Sequence, residues 1–255
     1  MNFLTATWTD VGTKKATNQD SMLVMQAETK VGKVLFASVC DGMGGLAKGE
    51  VASATMVKAL AEWFTNDFPQ MIDRGFDVNE LWRQWADLVV DTGDRIADYG
   101  AINHVNLGTT AVSLLIIGND YYIMNVGDSR VYLITDNCYQ MTKDQTFVQR
   151  EIDEGRMTLE EALNNPQRNV LLQCIGASRT VIPDFSFGKT DKQQVFMLCC
   201  DGFRHVISNQ EFYQAFNAKV LTDQAVMVKN IQNLTRLNIS RNEDDNISCI
   251  LVKTY

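Results

Sequence analysis

At 255 residues, with 45% hydrophobic and 21% charged residues, the chain can bury a substantial core and has none of the like-charge or low-complexity tracts that mark disorder. Its 23 basic and 31 acidic residues leave a net charge of −8, which speaks against the basic face that a nucleic-acid partner requires. The first residues, MNFLTATWTD, lack a basic stretch followed by an apolar one, and no apolar run nears the roughly 20 residues that span a bilayer, so the expectation is a cytoplasmic chain with no membrane partner.

In chain order, apolar or alternating runs bounded by Gly, Asn and Asp predict strands at 21–26 and 33–40. Two helical patterns follow. Ala52, Met56, Ala59, Leu60 and Trp63 form one apolar stripe, and Leu81, Trp85, Leu88, Val89, Thr92, Ile96 and Tyr99 form another, so each helix packs on something flat. Strands are expected at 110–117, 121–126 and 130–134, with tight turns at Gly118-Asn119-Asp120 and Asp136-Asn137 that favour antiparallel pairing. The polar stretch 146–169 contains Pro166 and only short helical patterns, around 147–152 and 159–163, and reads as a flap over a site. A strand at 195–200, helices at 209–217 and 222–237 and a last strand at 247–252 complete the chain. Strand clusters separated by helix pairs predict an α+β fold, with antiparallel sheets in the middle and helix pairs outside. Four of the six cysteines lie in apolar strand-like runs and none forms a CxxC pair, so all are read as reduced core residues.

Two segments share one design. An apolar run ends in Cys40-Asp41-Gly42, and another ends in Cys200-Asp201-Gly202. A desolvated carboxylate costs several kcal/mol unless it is paired or metal-bound, so a repeated Asp at the end of a buried strand calls for a reason. A third strand ends in Gly127-Asp128-Ser129-Arg130, and Asp244-Asp245-Asn246 opens the last one. Oxygen-rich clusters of this kind suit Mg²⁺ or Mn²⁺. A single Asp-Gly is most often only a turn, and the weight lies in the four together. With His104 and His205 the only histidines, and neither in a zinc-binding spacing, both are read as structural or surface residues. Gly42-Met43-Gly44-Gly45-Leu46-Ala47 formally fits a dinucleotide-binding loop, but Glu62 falls inside a helix and Asp41 would face the pyrophosphate.

Thr17-Asn18-Gln19-Asp20-Ser21, Asp41-Gly42-Met43-Gly44-Gly45, Gly108-Thr109-Thr110-Ala111, Asn125-Val126-Gly127-Asp128-Ser129-Arg130-Val131-Tyr132, Thr142-Lys143-Asp144, Asn169-Val170, Ile175-Gly176, Cys200-Asp201-Gly202 and Asp245-Asn246-Ile247-Ser248 occur in this order. Together they resemble the metal-dependent protein phosphatases of type 2C, the PPM family, in its bacterial single-domain branch. The resemblance covers nearly the whole chain and implies one catalytic domain, 1–255, built as a four-layer sandwich of two central antiparallel β-sheets flanked by pairs of α-helices. It further implies hydrolysis of phosphoserine and phosphothreonine on proteins at a pair of Mn²⁺ or Mg²⁺ ions, without a phospho-enzyme. By position, Asp41 would bridge both ions, the Gly42 carbonyl would bind one, and Asp201 and Asp245 the other. Asp128, with Asp201, matches the position of a third ion. Asp20 would orient the attacking water. Gly42, Gly44 and Gly45 are expected to allow close approach and left-handed backbone angles.

Where the family usually carries an Arg that grips the substrate phosphate, this chain has Lys15, a point charge without the bidentate fork, with Lys14 beside it. Met43 stands where many eukaryotic members have a candidate proton donor, which leaves that role unassigned. Gln145 and Cys200 are further departures, and neither removes a metal-binding oxygen. The partners implied are phosphorylated proteins, namely substrates of a serine/threonine kinase and the kinase itself, acted on by a monomer. The alternative reading is a catalytically weak regulatory module that binds a phosphoprotein or kinase.

Overall fold

The computed structural model describes residues 1–44 and 48–255; Gly45, Leu46 and Ala47 of the glycine-rich stretch lie outside the described residues. The chain opens with strands β1 (Phe3–Asp10), β2 (Asp20–Thr29) and β3 (Gly32–Gly44), followed by helices α1 (Gly49–Asn66), α2 (Phe68–Arg74) and α3 (Val78–Asn103). Strands β4 (Leu107–Thr109), β5 (Ala111–Ile117), β6 (Asp120–Val126), β7 (Arg130–Ile134) and β8 (Cys138–Gln140) come next, then the short helices α4 (Phe147–Asp153) and α5 (Leu159–Leu163). The chain closes with β9 (Asp184–Lys189), β10 (Val195–Cys199), α6 (Asp201–Arg204), α7 (Asn209–Phe216), α8 (Gln224–Ser240) and β11 (Ile247–Thr254).

The strands form two sheets, one in the order β1-β11-β10-β7-β8 and the other β2-β3-β5-β6-β9 with β4 paired to β3. Among the described residues every strand pairing is antiparallel. That removes the dinucleotide-binding alternative, which needs a parallel strand–helix–strand crossover.

β3 shows why the buried strands read as unbroken apolar runs. Successive side chains point to opposite faces of a sheet. Leu35, Ala37 and Val39 enter the core between the sheets with Val112, Leu114 and Ile123, while Val34, Phe36 and Cys40 face α1 and α3. Phe36 lies 5.4 Å from the rings of Trp63 and Phe64 and 6.0 Å from Trp85, so the helix stripes lock onto the sheet through aromatic contacts. On the opposite side Phe212 and Phe216 of α7 and Met227 and Ile231 of α8 are fully buried against the first sheet. The layers are therefore helices, sheet, sheet, helices. All six cysteines are buried thiols outside any disulfide. Among the described residues no helix is long and apolar enough to cross a membrane.

Candidate metal centre

Antiparallel pairing brings strand ends from distant parts of the chain to one rim. In the second sheet Asp20 at the start of β2 stands directly opposite Asp41 on β3. In the first sheet Cys199 of β10 pairs with Cys249 of β11, so Asp201, just beyond β10, and Asp245, just before β11, lie at the same end. Arg130 of β7 pairs with Cys199, which carries the β6–β7 turn and its Asp128 there too. The structure thus brings together Asp20, Asp41, Asp128, Asp201 and Asp245.

The backbone under these side chains is fixed. The Asp41 carbonyl accepts from the Thr110 amide (2.8 Å) and the Thr109 hydroxyl (2.9 Å), and the Asp41 amide donates to Thr110 Oγ1 (3.1 Å). Gly42 is required for contact: a Cβ there would collide with the carbonyl oxygens of Gly49 and Gln19. Its φ is not in the left-handed region, so close approach to the start of α1 is its whole reason, and the expectation of a left-handed angle is corrected at this position. Gly202 has the same role where α6 meets β11, since a Cβ would strike the Asn246 carbonyl.

Asn246 ties the loop between β1 and β2 to this rim. Its amide nitrogen donates to the carbonyls of Val11 (2.9 Å) and Thr17 (3.2 Å), and its Oδ1 accepts from the Gln19 amide (2.8 Å). The loop delivers two lysines. Lys15 Nζ sits 2.8 Å from Asp245 Oδ1, and Lys14 Nζ sits 2.7 Å from Asp244 Oδ2. Burial works against the charge of Lys15, but Asp245, Asp41 and Asp201 outweigh it and hold its pKa above the ordinary value.

The carboxylates are short of positive charge. Burial pushes the Asp20 carboxyl up to about 7, with Asp201 and Asp245 adding to the push. Burial and then Asp20, Asp201, Asp128 and Asp245 raise Asp41 well above the carboxylate range. Both Asp20 oxygens and Asp201 Oδ1 are buried without a hydrogen-bond partner among the described residues. The Ser248 hydroxyl and Cys200 thiol lie near Asp20, but Ser248 is bonded to Thr9 (2.8 Å) and Cys200 to the Asn246 carbonyl (3.3 Å).

Among the described residues no three His, Cys, Asp or Glu side chains stand ready-gathered around one point. Asp245 is turned toward Lys15. The chemistry nonetheless fits hard divalent cations: oxygen donors only, two fixed strand ends in each sheet, and buried oxygens with nothing to bind.

Asp128 has a different neighbourhood. Arg204 Nη2 donates to Asp128 Oδ2 (3.1 Å) and to the Asp128 carbonyl (2.9 Å), and lies 3.4 Å from Asp144 Oδ2. Arg130 grips Asp144 with two bonds of 2.7 Å. Burial and Asp201 push Asp128 up to about 6 against the pull of Arg204. One residue further, His205 Nε2 lies 3.5 Å from Asp201 Oδ2 and its Nδ1 3.4 Å from Glu243 Oε2. Glu243 Oε1 in turn accepts from the amides of Asp244 and Asp245.

His104 is an exposed helix cap, as a surface reading expects, whereas His205 belongs to the rim. Sequence reasoning passed over Arg204, His205 and Glu243. The available signal was their place within one helical turn of Asp201 or two residues of Asp245. A cavity of about 520 Å³ separates α4 and α5 from the rim, with Val148, Leu159, Leu163, Arg168, His205 and Asp244 among its walls.

A family model described as protein phosphatase 2C matches residues 12–234. The chain is similar to the protein phosphatase PhpP of Streptococcus pneumoniae, at 30% identity over 249 residues that cover 93% of this chain and 97% of that protein. It is similar in structure to the serine/threonine phosphatase of S. agalactiae, with a TM-score of 0.85, 28% identity and 100% of each chain covered. The catalytic domain of the serine/threonine protein phosphatase PstP, solved in complex with two manganese ions, matches with a TM-score of 0.77 and 27% identity over 98% of this chain and 97% of that one.

Proposed function

The chain belongs to the protein phosphatase 2C family and is a serine/threonine protein phosphatase; on that footing we propose that it works with a pair of divalent cations seated among Asp41, the Gly42 carbonyl, Asp201 and Asp245. The observation that carries this reading is the set of buried carboxylate oxygens, from both sheets, that have no partner of their own. Two Mn²⁺ or Mg²⁺ ions there would lower the pKa of water to near neutrality and offset the charge of the phosphoryl oxygens.

The side chains divide the remaining work. Asp20, with both oxygens uncommitted, accepts a hydrogen bond from the attacking water and sets its direction. Lys15 pairs with Asp245, and with that carboxylate engaged by a cation its ammonium would be available to the substrate phosphate. Lys14 keeps the loop in place through Asp244. Substrates are phosphorylated proteins, including targets of a serine/threonine kinase and the kinase itself. The cavity beneath α4 and α5, with Leu159 and Leu163 exposed and Arg168 at its wall, has room for the peptide on one side of the phosphoresidue.

One observation favours a second reading, a phosphoprotein-binding module of weak activity: Lys15 offers the phosphate a single point charge where a planar fork would hold it at two points. Release of inorganic phosphate from a phosphothreonine peptide, with Mn²⁺ and with chelator, separates the two. Turnover that needs Mn²⁺ is expected. A peptide that binds and is never hydrolysed at saturating Mn²⁺ would put the second reading in its place.

A further inference from the structure

Asp128 has a cation of its own that is far more buried than the Lys15 paired with Asp245. Arg204 comes from the same short helix as Asp201, three residues on, and its side chain is only 9% exposed. One nitrogen meets both the side-chain and the main-chain oxygen of Asp128, and it leans on Asp144, which Arg130 holds from the far side. Two carboxylates and two guanidiniums close into a neutral, largely buried quartet, with Arg130 at its more exposed end.

We propose that the Arg204 guanidinium permanently fills the cation position at Asp128, so that the protein holds two divalent ions at Asp41, Asp201 and Asp245 and admits no third at Asp128. The inference rests on the two-ion reading above for its count, but not for its geometry. An ion at Asp128 would have to sit against a guanidinium that cannot lose its proton, in a place with little water to screen the repulsion. It would also have to displace Arg204 from the Asp128 carbonyl, leaving a buried charge without its partners. A tethered charge cannot dissociate, so the cation beside Asp128 is present at every metal concentration.

Equilibrium dialysis against MnCl₂ with elemental analysis, on the full chain, reads the count directly. Two ions per wild-type chain are expected. Asp128→Asn should also bind two, and Arg204→Gln should bind one more than wild type, since it uncovers Asp128. A wild type that binds three ions, of which Asp128→Asn loses one, overturns the proposal, as does an Arg204→Gln protein that folds and binds no extra ion. If Arg204→Gln does not fold, Asp128→Asn decides: an unchanged count supports the proposal and a loss of one ion refutes it. A wild type that binds no ion removes the two-ion reading instead, while the gain of an ion in Arg204→Gln still separates a blocked Asp128 from an unblocked one.

Discussion

Stripped of divalent cations, the folded protein should lose stability as pH rises from 5 to 7, the reverse of what well-paired carboxylates produce. The native carboxyls of Asp20, at about 7, and Asp128, at about 6, keep protons that the unfolded chain sheds near 3.8. The native state therefore binds more protons across this window, and the linkage relation makes its stability fall with pH. Each pKa unit is worth about 1.4 kcal/mol, so between pH 5 and 7 Asp20 contributes a loss of roughly 2 kcal/mol and Asp128 roughly 1.

Asp41 adds to the loss, because burial and Asp20 raise it as well. His205 acts in the same direction: although burial works against its charge, Glu243 and Asp201 raise its pKa, and the stability it brings is lost as pH rises through the native value. The strongly paired Glu151 and Glu211 sit near 2, so their effect is confined to pH below about 4.5 and leaves the window clear. At about 2–4 °C per kcal/mol for a domain of this size, the melting temperature in EDTA should drop by about 10 °C from pH 5 to pH 7. Saturating Mn²⁺ should reduce the slope, since it supplies charge at Asp41, directly opposite Asp20. Scanning calorimetry at four pH values decides it. A metal-free melting temperature that stays level or rises over this interval would refute the claim that burial holds these carboxyls above the ordinary carboxylate range.

Asp41→Asn should abolish phosphate release yet melt a few degrees higher than wild type in EDTA at pH 8, because it removes a charge that faces Asp20; a lower melting temperature would contradict the repulsion. Asp201→Asn should lose turnover together with Mn²⁺ affinity in a direct titration. Lys15→Ala should raise KM about 10-fold or more with little change in kcat, as expected for removal of one charge-assisted hydrogen bond to the substrate phosphate. An equal fall in kcat would instead give Lys15 a part in the transition state. Gly42→Ala should destabilise the fold by about 2 kcal/mol or more, seen as a lower denaturation midpoint, because its Cβ meets backbone oxygens on both sides.

The strands that sequence periodicity located are chiefly those with neighbours on both sides. β3, β5, β10 and β11 bury both faces and announce themselves as apolar runs. The strands that escaped are β1, β8 and β9, all at sheet edges, and β4, three residues long and paired to β3 off the main path. β1 buries only Phe3 and Ala6 fully, β8 has three residues, and β9 none that is fully buried, so none carries a dense hydrophobic signal. α2 and α6 escaped for a related reason: seven and four residues are too few to show a stripe. The helical patterns in α1 and α3 were legible because each runs for several turns against a flat sheet, although Leu88 and Tyr99 of the second stripe are only half-buried at its margin.

The site divides along the same line. Asp41, Asp201 and Asp245 stand out in the sequence because each interrupts or borders an apolar strand, where a carboxylate is expensive enough to need explaining. Arg204 breaks no such local rule: an arginine in a short polar stretch after a strand is unremarkable until the tertiary structure shows it buried and bonded to Asp128, 76 residues away. The same holds for His205, whose importance lies in the distance to Glu243 and not in any motif. Local rules flag charges that violate their surroundings, whereas charges that neutralise them become visible only when the partners meet. A sequence motif can therefore count the acidic oxygens at this rim but cannot count its cations, because one of the positive charges belongs to the chain itself.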